Sequence, residues 1–168
     1  MSPGVPLRLS LRVSQVTAAG ACAPLAGALV DLWQCDALGV YSDFADTTAK
    51  FDARGKKFLR GYQVTDAKGA VAFTTIYPGW YPGRAVHLHF KVRTNPTGAS
   101  GTDFTSQLYF DEALTDKVHA RAPYATKGRR ITTNEMDGIF KSGGRQLMLR
   151  LTENATDIAG TFELALKI

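Results

Sequence analysis

The chain has 168 residues, enough to bury a core without metal or disulfide staples and few enough for one domain. Hydrophobic residues make up 45% and charged ones 21%, a balance that excludes a disordered chain. The net charge of +5 favours anionic partners, but only Lys56-Lys57 and Lys127 to Arg130 cluster, and neither is interleaved with aromatics. A solvated basic face is therefore expected, with no nucleic-acid partner.

Period-two alternation dominates the chain. Leu7, Leu9, Leu11 and Val13 alternate with polar residues and predict a first strand, and Ala28, Val30 and Leu32 a second. Val71 with Phe73, then Val86, Leu88, Phe90 and Val92, repeat the pattern. One short helix is expected around Glu112 to Ala120. Leu147, Leu149 and Leu151 predict a further strand, and Phe162, Leu164, Leu166 and Ile168 close the series. Turn residues separate these runs, as in Asp66-Ala67-Lys68-Gly69 and Asn95-Pro96-Thr97-Gly98. Many short strands joined by turns predict an all-β fold, an antiparallel β-sandwich.

Residues 1–168 read as a single domain without repeat or linker. Met1-Ser2-Pro3-Gly4 runs straight into strand with no signal-peptide pattern, and the chain also ends on strand, so trimming from a longer precursor is expected. No stretch approaches the roughly 20 apolar residues of a membrane helix, and no membrane partner is expected.

Chemistry concentrates in Tyr77-Pro-Gly-Trp-Tyr81-Pro-Gly-Arg84-Ala-Val-His87-Leu-His89-Phe90. Strand residues two apart share a face, so His87 and His89 sit side by side while Val86, Leu88 and Phe90 face the core. That spacing suits two surface histidines as well as a metal pair. Tyr81, six residues before His87 and after a turn, can fold over the same site or serve as a half-buried turn aromatic. Arg84 lies between them. His119 has no partner nearby in sequence and reads as a surface residue.

Several segments resemble intradiol ring-cleavage dioxygenases. Pro24 to Ser42, with Trp33-Gln34 and Gly39-Val-Tyr41-Ser42, is similar to that family's first metal-binding segment, and Tyr77 to Phe90 to its second. Phe58-Leu-Arg-Gly61-Tyr-Gln-Val-Thr-Asp66 through Phe73 resembles the strand-turn-strand between them, and Ser106-Gln107-Leu-Tyr-Phe110 the strand that follows. The resemblance runs from about residue 5 to the C-terminus and is thinnest after residue 115.

It implies Fe(III) held by Tyr41, Tyr81, His87 and His89. A hard ferric ion suits phenolate oxygen and imidazole, and a cation beside a phenol favours its ionised form. The implied substrates are small-molecule catechols and O₂, with Tyr81 leaving the metal when a catechol chelates it. The implied product is a cis,cis-muconate-type diacid. Arg84 is implied to stabilise developing negative charge, and Gln107 to make a polar contact in the same pocket or to be an ordinary strand residue.

The chain departs from catechol and hydroxyquinol enzymes in lacking a long helical N-terminal segment, and its Tyr81–His87 loop is shorter than in protocatechuate enzymes. It most resembles a compact, often secreted group, which implies an extracellular location, with a cytoplasmic one as the alternative. Cys22 and Cys35 resemble that group's cysteines, implying a disulfide in an oxidising compartment, with two reduced buried cysteines as the alternative. Two alternatives stay open. Pro24 to Val30 with Asp66 to Phe73 also resembles transthyretin-like and adhesin modules that only bind or space. A zinc hydrolase on the same histidines would want a third His or a carboxylate, and none is suitably placed. The preferred catechol and the oligomeric state are not legible.

Overall fold

A computed structural model describes residues 2–47, 51–95 and 101–168. In chain order the strands are β1 (Pro6–Val16), β2 (Cys22–Pro24), β3 (Leu29–Trp33), β4 (Ala45–Asp46), β5 (Phe51–Asp52), β6 (Arg60–Val64), β7 (Ala70–Ile76), β8 (His87–Arg93) and β9 (Asp103–Tyr109). Helices α1 (Glu112–His119) and α2 (Gly138–Lys141) follow, then β10 (Arg150–Glu153) and β11 (Ile158–Leu166). One sheet runs β10-β11-β1-β2, with β7 also paired to β1, and the second runs β6-β3-β8-β9. The expected sandwich is present, antiparallel except where β1 pairs with β11 in parallel.

The alternation in β1 explains the packing. Leu7, Leu9, Leu11 and Val13 are buried, and their polar neighbours face out. They join Val30 and Leu32 of β3 and Leu88, Phe90 and Val92 of β8 in the core between the sheets. Truncating one such leucine to alanine costs about 2–5 kcal/mol. The second sheet therefore has its inner face locked, and its outer face is left for other work.

Two glycines bring together the loops that carry that work. Gly79 donates its N–H to Asp36 O at 3.0 Å, and a Cβ there would run into the Ala37 carbonyl. Gly39, at φ +79°, lies so close to Trp80 that a Cβ would run into that residue's carbonyl oxygen. Any side chain at either position would push the segment after β3 away from the segment before β8.

Four expectations need correction or qualification. His119 is buried: its Nε2–H donates to Pro78 O at 2.9 Å and its ring stacks on Tyr124 at 5.1 Å, so it supports the Tyr77–Tyr81 loop from beneath. The strand expected from Leu147 begins only at Arg150, because Gly144–Leu147 forms a 3-10 turn. The turn at Asn95–Gly98 lies largely outside the described residues, whereas the Asp66–Gly69 turn is closed by Gly69 N donating to Asp66 O.

The cysteines are both free. Cys22 is exposed on β2, paired with Val16 in the first sheet, while Cys35 is buried beyond the end of β3, its thiol directed at Gly79 O, 3.5 Å away. The implied disulfide is absent: Cys22 lies exposed on β2 while Cys35 is buried past the end of β3 with its thiol on Gly79 O, and the argument from it to an oxidising compartment goes too. Burial, with Asp36 adding, pushes the Cys35 thiol up to about 12, so it stays protonated and unreactive. Thiol titration of native protein should therefore modify Cys22 alone, and denaturation without reductant should expose both. Finding no thiol in the denatured, unreduced chain would contradict this arrangement.

Candidate active site

Cross-strand register builds one row of side chains on the outer face of the second sheet. Trp33 on β3 pairs with Arg60 on β6 and with His89 on β8, and His89 pairs with Gln107 on β9. His87, one pleat further along the same face, pairs with Tyr109. His87 donates Nδ1–H to Ala85 O at 2.7 Å, which leaves its Nε2 lone pair directed into the site. That Nε2 lies 3.1 Å from His89 Nε2 and 3.2 Å from Tyr81 Oη. The Trp33 indole stacks flat on the His89 ring, centroids 5.0 Å apart, and fixes its plane.

Tyr41 completes the group. Its ring meets Tyr81 edge-on at 5.7 Å and His89 at 6.0 Å. Its hydroxyl is buried without a hydrogen-bond partner among the described residues. An orphaned buried hydroxyl costs on the order of 1–3 kcal/mol unless something else satisfies it. Burial pushes the phenols of Tyr41 and Tyr81 above the ordinary range, so neither ionises unless a cation lies beside it. Burial likewise lowers His87 to about 4 and, with His87 and Arg84 adding, His89 to about 3, so both imidazoles are neutral at pH 7. No group of three or more His, Cys, Asp or Glu able to hold a metal occurs among the described residues. Two phenols and two neutral imidazoles remain, a donor set that fits a hard trivalent cation.

Arg84 lies beside these donors. Its Nη2 donates to Gln107 Oε1, an oxygen that also accepts from Tyr109 Oη at 3.2 Å. Its Nε donates to Asp137 Oδ2 at 3.0 Å. All six residues singled out in the sequence thus meet in one place: Tyr41, Tyr81, Arg84, His87, His89 and Gln107. Sequence reasoning missed Asp137, 53 residues from Arg84, whose one local signal is an Asp directly before a short helix. It also missed the contacts made by Trp33 and Arg60. Arg60 donates from Nε to Ser42 Oγ at 3.0 Å and so ties down the residue after Tyr41. A cleft of about 490 Å³ opens beside Trp33 and Arg60, lined also by Lys56, Lys57 and Tyr62.

The buried histidines set a pH dependence for the metal-free protein. Their folded values of about 4 and 3 lie below the ordinary 6.5, so between those limits the unfolded chain binds protons that the folded chain does not. Stability is then full above about pH 6.5 and falls as the pH drops through that window. Thermal unfolding of metal-free protein should show a flat midpoint from pH 8 to about 7 and a steady decline from about 6.5 to 4.5. The slope should lessen in His89→Gln. An unchanged midpoint across that range would contradict the burial of neutral imidazoles.

Comparisons with known proteins show the family. Residues 1–138 match the family model described as Dioxygenase. The protocatechuate 3,4-dioxygenase beta chain of Burkholderia cepacia is 32% identical over 126 residues, covering 68% of this chain and 51% of that protein. The chain thus spans about half the length of that relative. The intradiol ring-cleavage dioxygenase of Tetranychus urticae superposes with a TM-score of 0.83 at 30% identity, over 99% of this chain and 82% of that one. The dioxygenase domain from Streptomyces sp. SirexAA-E does so with a TM-score of 0.65 at 30% identity, with the same coverage. From its sequence, its fold and these relatives, the chain belongs to the intradiol ring-cleavage dioxygenase family.

Proposed function

We propose that this protein is an Fe(III)-dependent intradiol dioxygenase that cleaves catechols between their two hydroxylated carbons, placing both atoms of O₂ in a cis,cis-muconate-type diacid. The observation that carries this reading is the convergence of Tyr41, Tyr81, His87 and His89, with the Tyr41 hydroxyl buried and unpaired. A spacer or adhesin module gives no reason to bury an unsatisfied phenol against two imidazoles.

Tyr41, Tyr81, His87 and His89 would hold the ferric ion, which when bound draws electron density from a chelated catecholate and opens its ring to O₂. The two tyrosines then play different parts. Tyr41 sits at the end of a loop pinned by Arg60 and stays in place. Tyr81 follows the Gly79 crossing, and its Oη meets His87 Nε2 at 3.2 Å, so it can swing out and take up a proton from the incoming catechol at Oη. Arg84 directs N–H groups at negative charge developing on the ring, and Gln107 holds its Nη2. The cations lining the neighbouring cleft raise the local concentration of ionised substrate.

Purified iron-loaded protein should be reddish from phenolate-to-iron charge transfer and hold about one iron per chain. Oxygen uptake should occur with at least one of catechol, protocatechuate, hydroxyquinol or a larger lignin-type catechol. Tyr81→Phe should keep much of the iron and slow turnover, whereas Tyr41→Phe should lose more iron and most of the colour. Protein that stays colourless after iron loading would sink the assignment. Equal losses in both variants would sink the division of roles.

A further inference from the structure

Arg84 is a long, flexible cation placed on a loop, and its use depends on where its guanidinium is held. Two groups hold it. Gln107 comes from β9, beside His89 in the cross-strand row, and Asp137 comes from the far C-terminal third of the chain. Asp137 is 1% exposed, and a buried carboxylate persists only when its oxygens are well supplied with donors. Its two oxygens are divided between two tasks. Oδ1 accepts from Ile139 N at 2.7 Å and Phe140 N at 3.4 Å, which caps α2. Oδ2 accepts from Arg84 Nε at 3.0 Å and from Ala85 N at 2.9 Å, which caps nothing. A residue needed only to start α2 would use Oδ1 and leave Oδ2 to solvent.

From this division we infer that Asp137 is a positioning residue for the ring-cleavage reaction, holding the Arg84 guanidinium in register with the row that contains His89 and Gln107. The inference rests on the function proposed above. With Nε on Asp137 and Nη2 on Gln107, the planar fork is fixed at two corners, and its orientation no longer depends on the rotamers of a free side chain. The pairing also sets what a substrate meets. Arg84 and Asp137 together are close to neutral, so the guanidinium presents directed N–H donors that are already oriented before charge develops. A second tie joins the same stretches of chain, since Gly83 N donates to Thr132 Oγ1 at 3.2 Å. The segment from Thr132 to Phe140, where the family resemblance was thinnest, becomes one wall of the active site.

Asp137→Asn and Asp137→Ser test this, because both residues are good helix N-caps and keep α2 while removing the carboxylate from Arg84. Both variants should hold wild-type iron and colour and still shift spectrum when catechol binds. Their kcat should fall about tenfold with KM changed less than about threefold, the loss expected of a transition-state contact. In metal-free protein, the ¹⁵N-detected Arg84 Nε–H should exchange slowly in the wild type and rapidly in both variants. The double variant Asp137→Asn with Arg84→Leu should be no slower than Arg84→Leu alone. Wild-type turnover in both Asp137 variants, with Arg84→Leu impaired, would overturn the positioning role, as would failure of both variants to fold, which would leave Asp137 a structural cap. Wild-type turnover in Arg84→Leu would instead overturn the role of Arg84 beneath it.

Discussion

The alternation of β8 is the constraint from which the rest of the site follows. Leu88, Phe90 and Val92 are buried between the sheets, and that packing fixes which way His87 and His89 point. A slip of one residue would carry both imidazoles into the core and three apolar side chains out to solvent. Register with β3 and β9 then sets the neighbours of His89, Trp33 on one side and Gln107 on the other. The direction of both histidines is therefore held by hydrophobic burial on the opposite face of the same strand.

The site's polar groups work against the fold. The hydroxyl of Tyr41 is buried without a hydrogen-bond partner among the described residues, and the two imidazoles are held neutral well below their ordinary range. Each feature destabilises a metal-free chain, and each is the condition a ferric ion needs: an oxygen ready to ionise beside a cation, and nitrogen lone pairs free at neutral pH. The surrounding structure absorbs this with contacts that touch no donor directly. His119 lies under the Tyr77–Tyr81 loop, Trp80 Nε1–H donates to Gly128 O at 3.1 Å, and Gly39 and Gly79 allow the two loops to cross. Sites poised in this way concentrate at functional positions.

Whatever depends on local period was legible in the sequence. The alternating leucines of β1 and the His-x-His of β8 report their faces directly, and the Asp66–Gly69 turn reports its own chemistry. Tyr41 was legible only through resemblance, and Tyr81 locally only as one of two readings, since local spacing does not distinguish a phenol folded over the histidines from one at a turn. What escaped was long-range or too short to be periodic. His119 is drawn inward by stacking on Tyr124, a contact set by how α1 docks, and no pattern within the helix announces it. The 3-10 turns between Tyr124 and Leu147 are three or four residues long, below any hydrophobic repeat. The implied disulfide failed for the same reason: of two cysteines near in sequence, one is exposed on β2 and the other is buried past the end of β3 against Gly79.

The two arginines at the ends of the row show how one residue type is made to do different work. Arg60 points along the sheet to Ser42, a buried residue next to Tyr41, and its effect is to hold a loop. Arg84 is held in turn by Gln107 and Asp137, which fixes the plane of its fork. A lysine at either position would keep the charge and lose the paired geometry, because an ammonium cannot reach two acceptors along a rigid plane. Charge alone is also abundant in this chain, which carries 20 Lys and Arg. What singles out Arg84 is that a buried carboxylate and a half-buried amide remove its freedom. By that criterion the candidate site extends to every residue that fixes the fork, including Asp137, which no sequence motif near the histidines contains.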